Sequence, residues 1–192
     1  VNVALLVGHG YLREACGNKN KYGPVTAQEL EDMTNICKKA LQTGCFGVSY
    51  GMRYVPGLNE WEMLRTALPC VAQHKLIAAH VRDDAAGIFD ATKEFLDVAK
   101  QLAIPAQYSH IGSMAGFGQM QDFLGMIAEH KMTGVDVSCD CYPYYAFSTM
   151  IGSTTYDDGW LDRYHCDYDV IEICEGKYKG QRCTKEIFEE ER

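Results

Sequence analysis

The stretch "LIAAHVRDD", Leu76–Asp84, decides the fold class. Its first four residues are apolar without alternation, which is typical of a strand buried on both faces in a parallel sheet. After His80 the sequence turns polar at Arg82 and the two aspartates that follow it. A histidine at the end of a buried strand is either a satisfied core residue or a ligand, and this stretch alone leaves both interpretations open.

Similar apolar segments recur along the chain and alternate with amphipathic helices. We predict strands at 3–7, 45–49, 75–80, 104–110 and 134–139, and a further strand near 170–174. From residue 45 onward they are spaced by about 30 residues, the size of a βαβ unit. The pattern predicts an α/β fold with a parallel sheet covered by helices, either an open doubly wound sheet or part of a (β/α)8 barrel. The glycine-rich loop "GSMAGFG", 112–118, matches neither a dinucleotide-binding fingerprint nor a P-loop.

Helix boundaries are signalled by capping residues. Thr26 and Glu29 form a capping box at the start of the first long helix, and Gly44 ends that helix. Asn59 is predicted to cap the next helix, and the last helix is predicted to begin at Thr184. The acidic stretch 154–169 is predicted to be a solvated connection.

Composition excludes several classes of function. The formal net charge of -8 and the lack of a Lys/Arg cluster beyond Lys38 and Lys39 argue against nucleic-acid binding. No apolar run approaches the roughly 20 residues that cross a bilayer, so no membrane partner is expected. The 9 cysteines are odd in number and irregularly spaced, which predicts reduced thiols and a cytoplasmic location. Three of them are predicted to be small core residues: Cys45, Cys139 and Cys174.

Histidines lie at the carboxyl ends of three of the first five predicted strands. His9, His80 and His110 lie at these ends, whereas the other three of the 6 histidines lie in helices or loops. For His9 we favour a loop role, with its ring capping backbone groups beside two glycines. His80 and His110 follow consecutive strands about 4.8 Å apart, so their side chains could share one metal ion. Imidazole ligands favour Zn²⁺ over Mg²⁺ or Ca²⁺.

Five motifs in order carry a family resemblance. They are "VGHGYLR" at 7–13, "GVSYGMRYVPG" at 47–57, "AAHVRDD" at 78–84, "YSHIG" at 108–112 and "DCYPY" at 140–144. In this order and approximate spacing they resemble the N-acyl-D-amino-acid deacylase (D-aminoacylase) branch of the amidohydrolase superfamily. The resemblance covers nearly the whole chain, and it is specific because five separate motifs agree.

The resemblance implies a TIM-like (β/α)8 barrel of the metal-dependent hydrolase type, with residues 1–192 as an internal part of the catalytic barrel. His80 and His110 match the two histidines that bind catalytic zinc in this family, which uses one or two ions. The family's cysteine ligand and HxH motif would precede Val1, and its catalytic aspartate would follow Arg192. No catalytic base is therefore expected in this chain, and these residues alone are expected to be inactive.

Further site residues follow from the same resemblance. Tyr54 and Tyr142 match tyrosines that line the substrate pocket of the family. Asp84 stands in place of a glutamate, and Asp140 is expected to orient a histidine or the loop from outside the ligand shell.

Residues 111–112 depart from the family pattern, in which a histidine and a cationic lysine occupy these positions. Arg53 or Arg82 would then supply the cation for a substrate carboxylate. Arg82 also has a simpler interpretation, in which it pairs with Asp83, with Asp84 or with a neighbouring strand.

The implied activity is metal-assisted hydrolysis of an amide bond other than a peptide bond, first of all deacylation of an N-acyl-D-amino acid or a related small amide. Two alternatives remain open. A cyclic-amide hydrolase of the dihydroorotase or hydantoinase type would require a lysine at a strand end, which the sequence lacks. A non-catalytic barrel relative would bind a ligand or a partner instead. Unpaired sheet edges would favour self-association into a homo-oligomer.

Overall fold

The computed structural model describes residues 1–116 and 118–192; residue 117, in the predicted glycine-rich loop, lies outside this range. The chain divides into two compact units, Val1–Tyr144 and Tyr145–Arg192. The first unit contains a parallel five-stranded sheet whose strands follow one another in sequence order. Its strands are β1 (Val7–Gly8), β2 (Gly47–Gly51), β3 (Leu76–His80), β4 (Ala106–Tyr108) and β5 (Val137–Cys139).

Helices connect the strands and complete the first unit. They are α1 (His9–Ala15), α2 (Ala27–Gln42), α3 (Glu60–Ala72), α4 (Ile88–Leu102), α5 (Ile111–Met114) and α6 (Met120–Met132), with a 3-10 turn at Ala85–Gly87. The second unit contains α7 (Trp160–Tyr164) and α8 (Lys185–Glu191), with 3-10 turns at Thr154–Tyr156 and Tyr168–Val170.

The strand order confirms the prediction of a parallel α/β fold. It also distinguishes the two predicted architectures, the open doubly wound sheet and part of a (β/α)8 barrel. In a doubly wound sheet the strand order reverses at a switch point, and no reversal occurs between β1 and β5. Each crossover instead places the next strand beside the previous one, which is the winding of a (β/α)8 barrel. The carboxyl ends of the strands consequently lie side by side along one rim.

The predicted caps are present. Thr26 Oγ1 accepts a hydrogen bond from the Glu29 amide at 3.2 Å, and the Glu29 carboxylate accepts one from the Thr26 amide at 2.7 Å. Asn59 likewise caps α3 through its side-chain oxygen. Thr184, where the last helix was predicted to begin, precedes α8 and caps it in the same way. Gly44 has a φ of +117°, a conformation that suits glycine after a helix end.

Two buried tyrosines of the sheet tie it to the helices. The Tyr50 hydroxyl lies 3.0 Å from Thr66 Oγ1 in α3, and the Tyr108 hydroxyl lies 3.1 Å from Thr92 Oγ1 in α4. All four side chains are buried. Each hydroxyl therefore has a partner inside the core, where an unpaired one would cost about 1–3 kcal/mol.

Three strand predictions need correction. The strand predicted at 3–7 is only Val7–Gly8, and helix α1 follows it immediately at His9. The strand predicted at 104–110 ends at Tyr108, because the backbone of His110 is left-handed with a φ of 43°. The strand predicted near 170–174 is wrong: a 3-10 turn precedes an isolated antiparallel bridge between Glu172 and Arg182.

The cysteine predictions hold only in part. All nine thiols are free, as expected. Cys45 and Cys139 are half-buried, but Cys174 is exposed, so its assignment to the core is wrong. The cysteines that are fully buried are Cys37, Cys70 and Cys183.

The second unit has an aromatic core of its own. Trp160 stacks on Phe188 with ring centroids 5.4 Å apart, and Tyr156 meets both rings edge-on. Cys183 is buried in the same cluster. The stretch 154–169 is therefore not only a solvated connection, because its aromatic side chains alternate with its acidic ones and form the buried face.

A charged network is completely buried in the first unit. His9 Nε2 lies 2.8 Å from Glu62 Oε1, and Arg13 donates to both oxygens of the same carboxylate at 2.7 and 2.6 Å. The residues are 0–2% exposed. His9 is therefore not the loop histidine that we predicted: it begins α1 and pairs with α3. The i, i+4 spacing of His9 and Arg13 places both on one helix face.

The network also fixes a loop. The Arg13 guanidinium donates to the carbonyls of Asn20 and Gly23 at 2.8 and 3.0 Å. Burial raises the pKa of Glu62, but the hydrogen bonds from His9 and Arg13 outweigh it, so the net pKa lies below the ordinary value. Glu62 is thus ionised at neutral pH and compensates the buried guanidinium.

We predict that Glu62→Gln lowers the free energy of unfolding by about 3–5 kcal/mol, because it leaves the Arg13 charge buried without its counter-ion. The matched control is Asp97→Asn, which removes the exposed partner of Lys93 on α4 and should cost less than about 1 kcal/mol. Urea unfolding at pH 7 followed by circular dichroism measures both. Equal losses in the two variants would contradict the assignment.

The same network predicts a pH dependence. Since the folded pKa of Glu62 is lowered, its contribution is complete above the unfolded value of about 4.3 and is lost as the pH falls below it. The stability difference between wild type and Glu62→Gln should therefore shrink below about pH 4. A difference that stays constant down to pH 3 would argue against an ionised Glu62.

Candidate metal site

His80 and His110 face each other at the carboxyl ends of neighbouring strands. His80 Nδ1 lies 3.1 Å from His110 Nε2, and the ring centroids are 4.7 Å apart. The strand register explains why the rings meet. Ala79 pairs with Tyr108, His80 is the first residue after Ala79, and His110 is the second residue after Tyr108. Parallel pairing of β3 and β4 thus brings together the two histidines that the sequence singled out.

The left-handed backbone of His110 is held by Asp140. One oxygen of the Asp140 carboxylate accepts from the His110 amide at 2.6 Å, and the other accepts from Gln107 Nε2 at 2.7 Å. The Asp140 carbonyl also accepts from the Ile111 amide at 2.8 Å. A non-glycine residue in this region costs about 1–3 kcal/mol, which these bonds offset.

Ser113 contacts the imidazole of His110 from the other side. Its hydroxyl oxygen lies 2.9 Å from His110 Nδ1 and 3.0 Å from the His110 carbonyl oxygen. The sequence analysis missed this residue. The feature that could have revealed it is its position three residues after His110. In the helical turn that begins α5, this spacing places the side chains of His110 and Ser113 next to each other.

The imidazole of His80 is held in its neutral form. Burial, the neighbouring His110 and the charge of Arg53 lower the pKa of His80 to about 4. A neutral imidazole has one nitrogen with a free lone pair, which is the form that binds a metal ion.

The loop after β2 borders this pair. Gly51 is in register with His80, and the Met52 amide donates to the His80 carbonyl at 2.9 Å. The ring of Tyr54 lies 4.9 Å from that of His80, and Arg53 Nη1 lies 3.9 Å from the Asp83 carboxylate. The structure therefore places Arg53 and Tyr54 beside His80.

Arg82 lies in a different environment. Its guanidinium forms a two-bond pair with the Glu94 carboxylate, 2.8 Å for each bond, and donates to the carbonyls of Pro56 and Leu58 at 2.9 and 2.5 Å. The interpretation that it pairs with an adjacent aspartate is wrong. Arg82 instead fastens the loop between β2 and α3 to helix α4.

The remaining predicted site residues lie around the rim. Asp84 is buried at the start of the 3-10 turn, where its amide donates to Asp83 Oδ1 at 2.9 Å. Tyr142 is half-buried and stacks on Tyr144 with ring centroids 6.5 Å apart. In the contacts of the described residues Tyr142 is not joined to the histidine pair, unlike Tyr54 and Ser113.

Gly112 leaves room for a neighbouring thiol. A Cβ atom at this position would lie 2.8 Å from Cys141 Sγ, closer than real Cβ contacts come. A larger side chain would require Cys141 to rotate away. This packing gives a physical reason for the glycine two residues after His110.

The histidine pair fits two adjacent positions around a metal ion. Two nitrogens bound to one tetrahedral Zn²⁺ are about 3.3 Å apart, given Zn–N bonds of about 2.0–2.1 Å. The observed 3.1 Å lies close to this value. Within residues 1–116 and 118–192, no group of three or more His, Cys, Asp or Glu side chains could hold a metal ion, so the pair could supply at most two ligands of such a site. No helix in the same residues is long and apolar enough to span a membrane.

The chain is similar to known proteins in both sequence and structure. No family model matches the chain. A D-aminoacylase of Alcaligenes xylosoxydans xylosoxydans is 32% identical over 155 residues, which are 79% of this chain and 32% of the relative. The chain thus spans about a third of the length of the curated relatives that it matches.

Two solved structures share the fold. A crystal structure of D-aminoacylase, described as defining a novel subset of amidohydrolases, matches 79% of this chain with a TM-score of 0.72 and 31% identity, over 32% of its own length. An N-acyl-D-glutamate deacylase of Bordetella bronchiseptica, in complex with zinc and a phosphonate inhibitor, matches 95% of this chain with a TM-score of 0.77 and 26% identity, over 38% of its own length. By sequence, strand order and these matches, residues 1–192 are similar to part of the D-aminoacylase branch of the amidohydrolase superfamily.

Proposed function

We propose that the protein carrying these residues hydrolyses the amide bond of an N-acyl-D-amino acid in a metal-dependent reaction, with His80 and His110 as two of the metal ligands. The observation that carries the proposal is the 3.1 Å approach of their ring nitrogens at adjoining strand ends. The similarity to D-aminoacylase supports the reaction class. The zinc in the related deacylase structure and the binuclear metal centre described for a D-aminoacylase structure support one or two Zn²⁺ ions.

The chemistry follows from this placement. A bound divalent cation lowers the pKa of a water molecule and polarises an acyl carbonyl. His80 Nδ1 and His110 Nε2 face each other across 3.1 Å at one point of the rim, and Asp140 holds the backbone that carries His110. We propose that residues 1–192 form part of a catalytic barrel, and that residues outside them supply the other ligands and the general base.

Arg53 is the cation that we assign to the substrate carboxylate. An N-acyl amino acid carries a negative charge close to the amide bond that is cleaved, so a cation beside the metal ligands would orient it. Arg53 is only 15% exposed, and its charge acts on His80. Arg82 is less suited, because four hydrogen bonds commit its guanidinium to Glu94 and the β2–α3 loop. Tyr54 and Tyr142 would form parts of the pocket wall.

We also propose a setting and an assembly for the protein. Nine free thiols suit a reducing compartment such as the cytoplasm. In the described part of the chain β1 and β5 each pair on one side only. These open parallel edges would pair with further strands of the same barrel or, failing that, with a second copy of the chain.

We predict that His80→Ala and His110→Ala each remove most of the bound zinc from the protein at its full natural length. Each variant deletes one of a small number of imidazole ligands, and few other donors lie within reach. Elemental analysis after dialysis measures the zinc content. The control is His130→Ala, whose ring nitrogen bonds to the Met126 carbonyl within α6. Undiminished zinc in both variants would contradict the ligand assignment.

We predict that Arg53→Met raises KM for an N-acyl-D-amino acid by about tenfold or more, since a hydrogen bond to a charged group contributes about 1.5–3 kcal/mol. The same variant should leave KM nearly unchanged for the analogue in which a carboxamide replaces the carboxylate. Arg53→Lys should retain part of the discrimination, because it keeps the charge. Equal losses on both substrates would show that Arg53 has a structural role instead.

A further inference from the structure

We infer that Ser113 is a positioning residue, whose hydroxyl fixes His110 in the tautomer that carries its proton on Nδ1. Nε2, the nitrogen that faces His80, then keeps its lone pair. The inference about the tautomer concerns the chain alone, and its consequence for a metal ion rests on the proposed function.

The hydroxyl of Ser113 contacts two atoms of His110 but can donate only one hydrogen bond. The His110 carbonyl oxygen, 3.0 Å away, can only accept a hydrogen bond. His110 Nδ1, 2.9 Å away, can accept or donate according to the tautomer. Both contacts are satisfied only when the hydroxyl donates to the carbonyl and accepts from the Nδ1–H group.

A count of hydrogen bonds separates the two tautomers. With the proton on Nδ1, three bonds form: from Nδ1 to Ser113 Oγ, from Ser113 Oγ to the carbonyl, and from His80 Nδ1 to His110 Nε2. With the proton on Nε2, the ring donates to His80 and the hydroxyl turns to Nδ1, so the bond to the carbonyl is lost. One net hydrogen bond favours the first tautomer by about fivefold.

The backbone keeps Ser113 in place for this task. The Ser113 amide also donates to the His110 carbonyl at 3.0 Å, which closes the turn at the start of α5. Asp140 holds the His110 amide at 2.6 Å. The ring of His110 is therefore held through its backbone by Asp140 and through Nδ1 by Ser113, and Nε2 remains for a ligand.

This arrangement prepares His110 for a cation before any cation arrives, whereas His80 would have to move its proton from Nδ1 to Nε2 when a cation binds. A metal ion binds an imidazole nitrogen only through its lone pair, and the bond made by the other ring nitrogen sets which tautomer is present. With Ser113 in place, His110 needs no proton shift on binding. Loss of such a supporting partner typically weakens metal affinity by 10–100-fold.

The test uses ¹⁵N NMR of the full-length, metal-free protein labelled at histidine, near pH 8. The resonances of His110 are assigned by their loss in His110→Gln. In the wild type we expect a protonated Nδ1 and an unprotonated Nε2. Ser113→Ala should move the population towards the Nε2–H tautomer, whereas Ser113→Thr, which retains the hydroxyl, should keep the wild-type pattern. An unprotonated Nδ1 in the wild type, or an unchanged tautomer in Ser113→Ala, would overturn the inference.

Calorimetric titration with Zn²⁺ tests the consequence separately. Ser113→Ala should weaken zinc binding by about tenfold or more, and Ser113→Thr by much less. A shifted tautomer with unchanged zinc affinity would refute the role in metal binding. If the wild type bound no zinc at all, the proposed function would fail, while the tautomer result would still stand or fall by the NMR measurement.

Discussion

The parallel register of β3 and β4 is the constraint on which the candidate site depends. Because Ala79 pairs with Tyr108, the residues that follow both strands leave the sheet at the same rim, where His80 and His110 approach to 3.1 Å. A register shift of one residue would turn the side chains of one strand to the opposite face. The buried Tyr108, bonded to Thr92 in α4, pins the strand against such a slip.

Charged groups away from this rim hold the segments that surround it. The buried Glu62 links α1 to α3 and, through Arg13, fixes the loop that precedes α2. Arg82 joins the loop after β2 to α4 through Glu94. The contacts between Glu62 and Arg13 are buried and therefore matter for stability. The half-exposed pair of Arg82 and Glu94 acts mainly by restricting a loop. Neither of these charged pairs includes Arg53 or Tyr54, which lie at the rim beside His80.

Local patterns predicted the fold and part of the site, but not the partners of individual side chains. Apolar runs and caps predicted the parallel α/β order, and the strand-end histidines predicted the meeting of His80 with His110. The run at 170–174 resembled a strand, yet it forms a single bridge, because a strand needs a neighbour that the pattern does not reveal. His9 was misjudged because its partner Glu62 lies 53 residues away. Ser113 was missed because its role depends on the left-handed turn at His110.

The central claim is that His80 and His110 share a metal ion, with ligands from outside residues 1–192 completing its shell. The most direct measurement is an anomalous difference map at the zinc absorption edge, from crystals of the full-length protein. The account predicts a peak about 2.0–2.1 Å from both His80 Nδ1 and His110 Nε2. A peak that contacts neither histidine, or a direct hydrogen bond between the two rings in zinc-loaded crystals, would contradict it.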